Sequence, residues 1–136
     1  VDYRVAGYSV HFRAPEAALG LSMSWGSIPR LVNLIGPART KQILIHANQR
    51  FSAEEAKSWG LVQEVVDDGK AASAAISAAK KASKIPSVPA RMIKLAVDSY
   101  AGALADAIMH MDTDQVLLAE NDQEHLEAVD TFLAKE

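Results

Sequence analysis

A chain of 136 residues, 49% of them hydrophobic, has room for one ordinary domain with a core and is short for two. Its net charge of −3 comes from 14 basic and 17 acidic side chains without long runs, which argues against nucleic acid or an anionic membrane as partner. Cysteine is absent, so disulfides and thiolate metal sites are excluded, and no apolar run nears the roughly 18 residues of a membrane span. A cytoplasmic location is expected.

The β-favouring residues Val5, Tyr8, Val10 and Phe12 predict two short strands over residues 3–6 and 8–12, with Gly7 as a turn or bulge between them. The chain opens on the first of these with no lead-in, as expected of a fragment or a processed chain. Pro15 cannot donate to a ladder, so Pro15-Glu16 should lie where the chain leaves the sheet. Beyond it the pattern turns helical. Pro29 suits a first turn behind Ser27, and Leu31, Leu34 and Ile35 recur at helical spacing until Gly36-Pro37 stops them. A further helix is predicted over residues 38–47, ending at Asn48.

Ser52-Ala53-Glu54-Glu55 has the pattern of a capping box, followed by a short helix that Gly60 ends. Residues 61–66 read as a strand and Asp67-Asp68-Gly69 as its turn. The alanine-rich stretch over residues 70–84 predicts a helix with Ala72, Ala75, Ile76 and Ala79 as its apolar stripe. Pro89 suits the first turn of a helix carrying Met92, Ile93, Leu95, Ala96 and Tyr100. Two more helices are predicted, over residues 103–120 and, behind an Asn121 and Glu124 capping pair, over residues 122–135.

Asp2-Tyr3-Arg4-Val5-Ala6, then Phe12-Arg13-Ala14-Pro15-Glu16-Ala17-Ala18-Leu19-Gly20, resemble the paired strands and Phe-x-x-Pro-Glu-x-x-x-Gly stretch of the enoyl-CoA hydratase/isomerase (crotonase) superfamily. Arg30-Leu31, Gly36, Phe51 to Ala56, Gly60-Leu61-Val62 and Val65-Val66 continue that resemblance in order. It implies the C-terminal half of an α/β crotonase-like fold. Residues 1–66 would end the ββα spiral core, with a short β-hairpin at the N-terminus, and residues 67–136 would form a mostly helical region used for oligomerisation and as a lid. The oxyanion hole, most of the CoA-binding surface and a first catalytic carboxylate belong to the other half of the family fold.

The resemblance makes Glu16 the second of two glutamates that share acid/base work, at a strand-to-loop exit where a side chain can be rigid and still face a cleft. By residue type alone it would be an exposed loop carboxylate. Leu21 to Ser27 departs from the family's Pro-Gly-x-Gly-Gly run, keeping only Gly26. Met23, Ser24 and Trp25 would then fill space that glycines leave open, either shaping an acyl pocket or marking lost catalysis, with Trp25 as core packing the plainer alternative. Gly20, Ser24 and Trp25 are candidate substrate contacts. Ser24 stands where some relatives place a nucleophilic aspartate, which argues against that chemistry. Phe132-x-x-Lys135 resembles a pair that approaches the CoA nucleotide. The histidines, His11, His46, His110 and His125, show no metal-ligand spacing and read as packing or surface residues.

The resemblance implies an acyl-CoA thioester as substrate, no separate cofactor, no metal, and either a trimer-based homo-oligomer or a complementary N-terminal half as partner. A non-catalytic oligomerisation module and a helical small-molecule-binding domain are the competing functions.

Overall fold

A computed structural model of the chain describes residues 1–46 and 49–134, and these form two compact units. The first takes Val1–Phe12 and Phe51–Ala103; the second takes Arg13–Arg50 and Leu104–Glu136. Each unit draws chain from both sides of residue 66.

In the first unit β1 (Val5–Gly7) pairs with a parallel partner, placing Val5 opposite Glu64 and Gly7 opposite Val66. The expected N-terminal hairpin is therefore not formed. Val10 N–H donates to Gly7 C=O at 3.1 Å to close a turn, and Ser9 N–H donates to the Asp68 carboxylate at 3.0 Å. That turn sends β2 (His11–Phe12) away from β1 to pair antiparallel with β3 (Phe51–Ser52). Phe12 lies opposite Phe51 there and the two rings stack with centroids 5.4 Å apart, a cross-strand pair that favours this partner. Alternation in a sequence predicts a strand but not its partner.

Helix α1 belongs to the second unit and is described with the site. In the first, α2 (Ala53–Ser58) starts at the expected capping box: Glu55 N–H donates to Ser52 Oγ at 3.2 Å, and Ser52 N–H to the Glu55 carboxylate at 2.8 Å. Its buried residues, Ala53 and Ala56, join Phe51 and Val62 in a small core, with Trp59 against Phe51 at 4.9 Å. The parallel partner of β1 is β4 (Glu64–Val66), and α3 (Ala71–Ala82) packs on both strands. The half-buried residues of α3 are Ala71, Ala74 and Ala78, not the predicted stripe; Ile76 is exposed. Alanine on nearly every face leaves the helical phase undetermined by sequence. Helix α4 (Ser87–Gly102) begins with Pro89 in its first turn, and Lys94 on it binds Asp2 at 2.5 Å and Asp98 at 2.9 Å. The hydrogen bond from Lys94, more than its charge, holds the Asp2 carboxyl below its ordinary value.

In the second unit the helix predicted over residues 103–120 is broken into α5 (Asp106–Met109) and α6 (Asp112–Glu120). Met111 N–H reaches back to Ile108 C=O at 3.0 Å, a tight closing turn, and Asp112 opens the next helix with a carboxylate that accepts from Gly26 N–H at 2.6 Å. Asp122, not Asn121, caps α7 (Gln123–Leu133), accepting from Glu124 N–H at 2.9 Å, while Asn121 donates to Leu117 C=O. Among the described residues no helix is long and apolar enough to cross a membrane.

Candidate active site

Glu16 lies where the strand sequence ends. Pro15 leads into a single 3-10 turn over Glu16–Leu19, closed by Leu21 N–H donating to Glu16 C=O at 2.9 Å. Gly20 follows at φ +70°, and a side chain there would meet the Cα of His125 at 2.7 Å. Glycine thus lets the turn lie directly on α7. His125 Nδ1 stands 2.6 Å from Leu19 C=O, and since a carbonyl only accepts, Nδ1 carries the proton. Gly20 is in this way engaged by the chain's own backbone.

Helix α1 (Ser27–Ile45) is broken at Gly36, whose φ of 75° and ψ of 164° are not helical. Pro37 starts the second stretch with no N–H to satisfy, and the buried Thr40 hydroxyl donates to Gly36 C=O at 2.9 Å. The break turns the helix, so that Ile28 and Val32 before it and Thr40 and Leu44 after it line one cavity of about 490 Å³. Leu21, Met23 and Glu16 complete much of its wall, with Lys41 and Ser22 as other polar residues. Glu16 Oε2 is buried and has no hydrogen-bond partner among the described residues. An acceptor so placed is costly until a donor arrives.

Of the other residues singled out by sequence, Met23 lines the cavity while Ser24, Trp25 and Phe132 do not. Trp25 is 76% exposed, which removes it from the core, and its φ of 59° is unusual for a side chain of that size. It occupies a turn with Gly26, closed by Ser27 N–H to Ser24 C=O at 3.1 Å and held by Arg30 Nη1 donating to Trp25 C=O at 2.6 Å. Phe132 lies on α7, partly exposed; Lys135, like Ala47 and Asn48, lies outside the described residues. Sequence reasoning missed Asp112, Gln115 and His125, which hold Gly26, Ser22 and Leu19 respectively. Separations of 86 to 106 residues leave no local signal for such contacts.

The whole of the sequence, residues 1–136, matches the enoyl-CoA hydratase/isomerase family. The chain belongs to that family. It is 31% identical over 134 residues to 1,2-epoxyphenylacetyl-CoA isomerase of Escherichia coli K12, covering 98% of this chain and 51% of that protein. It is 29% identical to crotonyl-CoA hydratase of Syntrophomonas wolfei, again over 98% and 51%. The crystal structure of an enoyl-CoA hydratase/isomerase from Pseudoalteromonas atlantica superposes with a TM-score of 0.88 at 23% identity, over 99% of this chain and 54% of that one. The fold is thus crotonase-like, mostly helical with few short strands. This family member spans about half the length of the curated relatives it matches.

Proposed function

We propose that the chain is the C-terminal half of an enoyl-CoA hydratase/isomerase and contributes Glu16 as an acid/base carboxylate acting on an acyl-CoA thioester. One observation carries the reading: a buried, unpartnered carboxylate oxygen on a residue that lines a cavity walled largely by Leu21, Met23, Ile28, Val32 and Leu44. Hydration needs such an acceptor. As water adds its oxygen to the β-carbon of an enoyl thioester, one of its protons passes to a carboxylate, and a proton is delivered to the α-carbon. The enolate oxygen that develops needs fixed donors. The family's N-terminal half supplies these and the first catalytic carboxylate, the apolar wall receives the acyl chain, and Phe132 and Lys135 contact the nucleotide end of CoA. In this reading residues 1–66 end the spiral core and residues 67–136 form the helical region through which the protein oligomerises.

Crotonyl-CoA hydration, followed by loss of enoyl-thioester absorbance, tests it. The isolated chain should give background turnover. Mixed with the N-terminal half of a family relative it should hydrate crotonyl-CoA, and Glu16→Gln should lower kcat by about 10²- to 10⁴-fold. Equal turnover with Glu16→Gln overturns the assignment. The second reading, an oligomerisation module without catalysis, draws on α4, where Met92, Leu95 and Tyr100 are exposed; a complemented, folded mixture without turnover would favour it.

A further inference from the structure

We infer that His125 is a positioning residue, holding the Glu16 turn from α7 so that the carboxylate is placed although its buried oxygen has no hydrogen-bond partner among the described residues. This rests on the acid/base reading of Glu16. With Oε2 unpartnered, the placement of the carboxylate depends on the backbone that carries it. That backbone is one 3-10 turn, an element too short to hold itself. The turn packs on α1 and α7, and on the α7 side a single residue makes two contacts with it. His125 Nδ1–H donates to Leu19 C=O at 2.6 Å, and the His125 main chain fills the space beside Gly20 that a side chain would occupy. The first contact sets the direction of the last carbonyl of the turn; the second sets its distance from α7. The histidine is half-buried, so the hydrogen bond is partly shielded from competing water.

The test uses the chain itself and two variants. Asparagine carries its amide nitrogen the same number of bonds from the main chain as Nδ1, so His125→Asn keeps a donor and His125→Ala removes it. Amide hydrogen exchange is read at Leu21, whose N–H closes the turn, and at Glu55 in the other unit as reference. In His125→Ala, Leu21 exchange should accelerate about tenfold relative to Glu55, the worth of roughly one hydrogen bond, and His125→Asn should restore it to within about twofold. Equal acceleration at both amides, or no rescue by asparagine, overturns the inference. Should His125→Ala not fold, nitrogen NMR of the unaltered chain decides: the neutral imidazole must be protonated at Nδ1, and a ring protonated only at Nε2 overturns the inference. Neither readout depends on turnover. Failure of Glu16→Gln to affect hydration with the exchange result intact would therefore remove the acid/base reading and leave the holding contact standing.

Discussion

Gly36 decides whether the cavity beside Glu16 has two walls or one. Its φ of 75° with ψ of 164° lies in a region that glycine alone occupies without strain, and nothing stands within 4 Å of the position a side chain would take. Gly36→Ala therefore meets a conformational cost with no steric one. We expect a loss of about 1–3 kcal/mol in denaturant unfolding of the second unit, accompanied by loss of the alignment between Ile28 and Leu44 across the break. Unchanged stability would show that an uninterrupted helix is tolerated here. Trp25 is the converse case: its φ of 59° is held by Arg30 on one side and by the Asp112 contact to Gly26 on the other, so the surroundings impose a conformation its own side chain disfavours.

Ser52 illustrates what an element can encode by itself. Both halves of the capping box lie within four residues, and both form. Ser52→Ala should cost the first unit about 1 kcal/mol; guanidinium unfolding followed by Trp59 fluorescence, in a Trp25→Phe background, measures it, and a loss below about 0.3 kcal/mol would show that water replaces the cap. Local chemistry of this kind was legible in the sequence, as were the break at Gly36-Pro37, the turn at Asp67 to Gly69 and the place of Glu16 at a strand exit. What was not legible involved a choice between equivalent partners or phases. β1 finds β4 because the turn after Gly7 and the Phe12–Phe51 pair carry β2 elsewhere. Helix α3 shows Ala71, Ala74 and Ala78 to the sheet because alanine on every face gives no phase. The cap of α7 slipped by one residue, from Asn121 to Asp122, since both side chains are competent caps. The contacts that hold the Glu16 segment come from α6 and α7, beyond the reach of any local pattern.

In the molecule as a whole, α4 carries a run of exposed apolar side chains. Met92, Ile93, Leu95, Val97 and Tyr100 are each more than half exposed and point to several sides of the helix. Arg91, Lys94 and Asp98 share the remaining side of α4, and an exposed apolar face opposite such a polar one seeks a partner. Light scattering should thus give a mass above the 14.6 kDa of one chain, rising with concentration; a constant mass of one chain would show that α4 is tolerated bare. The order in which the units recruit the chain has a different consequence, one for synthesis. The second unit opens at Arg13 but takes up chain again only from Leu104, and the Leu19–His125 contact spans 106 residues. A ribosome adding about 5–20 residues per second has released the Glu16 turn for several seconds before His125 leaves the exit tunnel. During that interval the first unit can complete itself through Ala103 while the Glu16 carboxylate remains unplaced, so nascent chains stalled with residues up to about 110 outside the tunnel would carry an assembled strand pair and a Glu16 turn still waiting for its anchor.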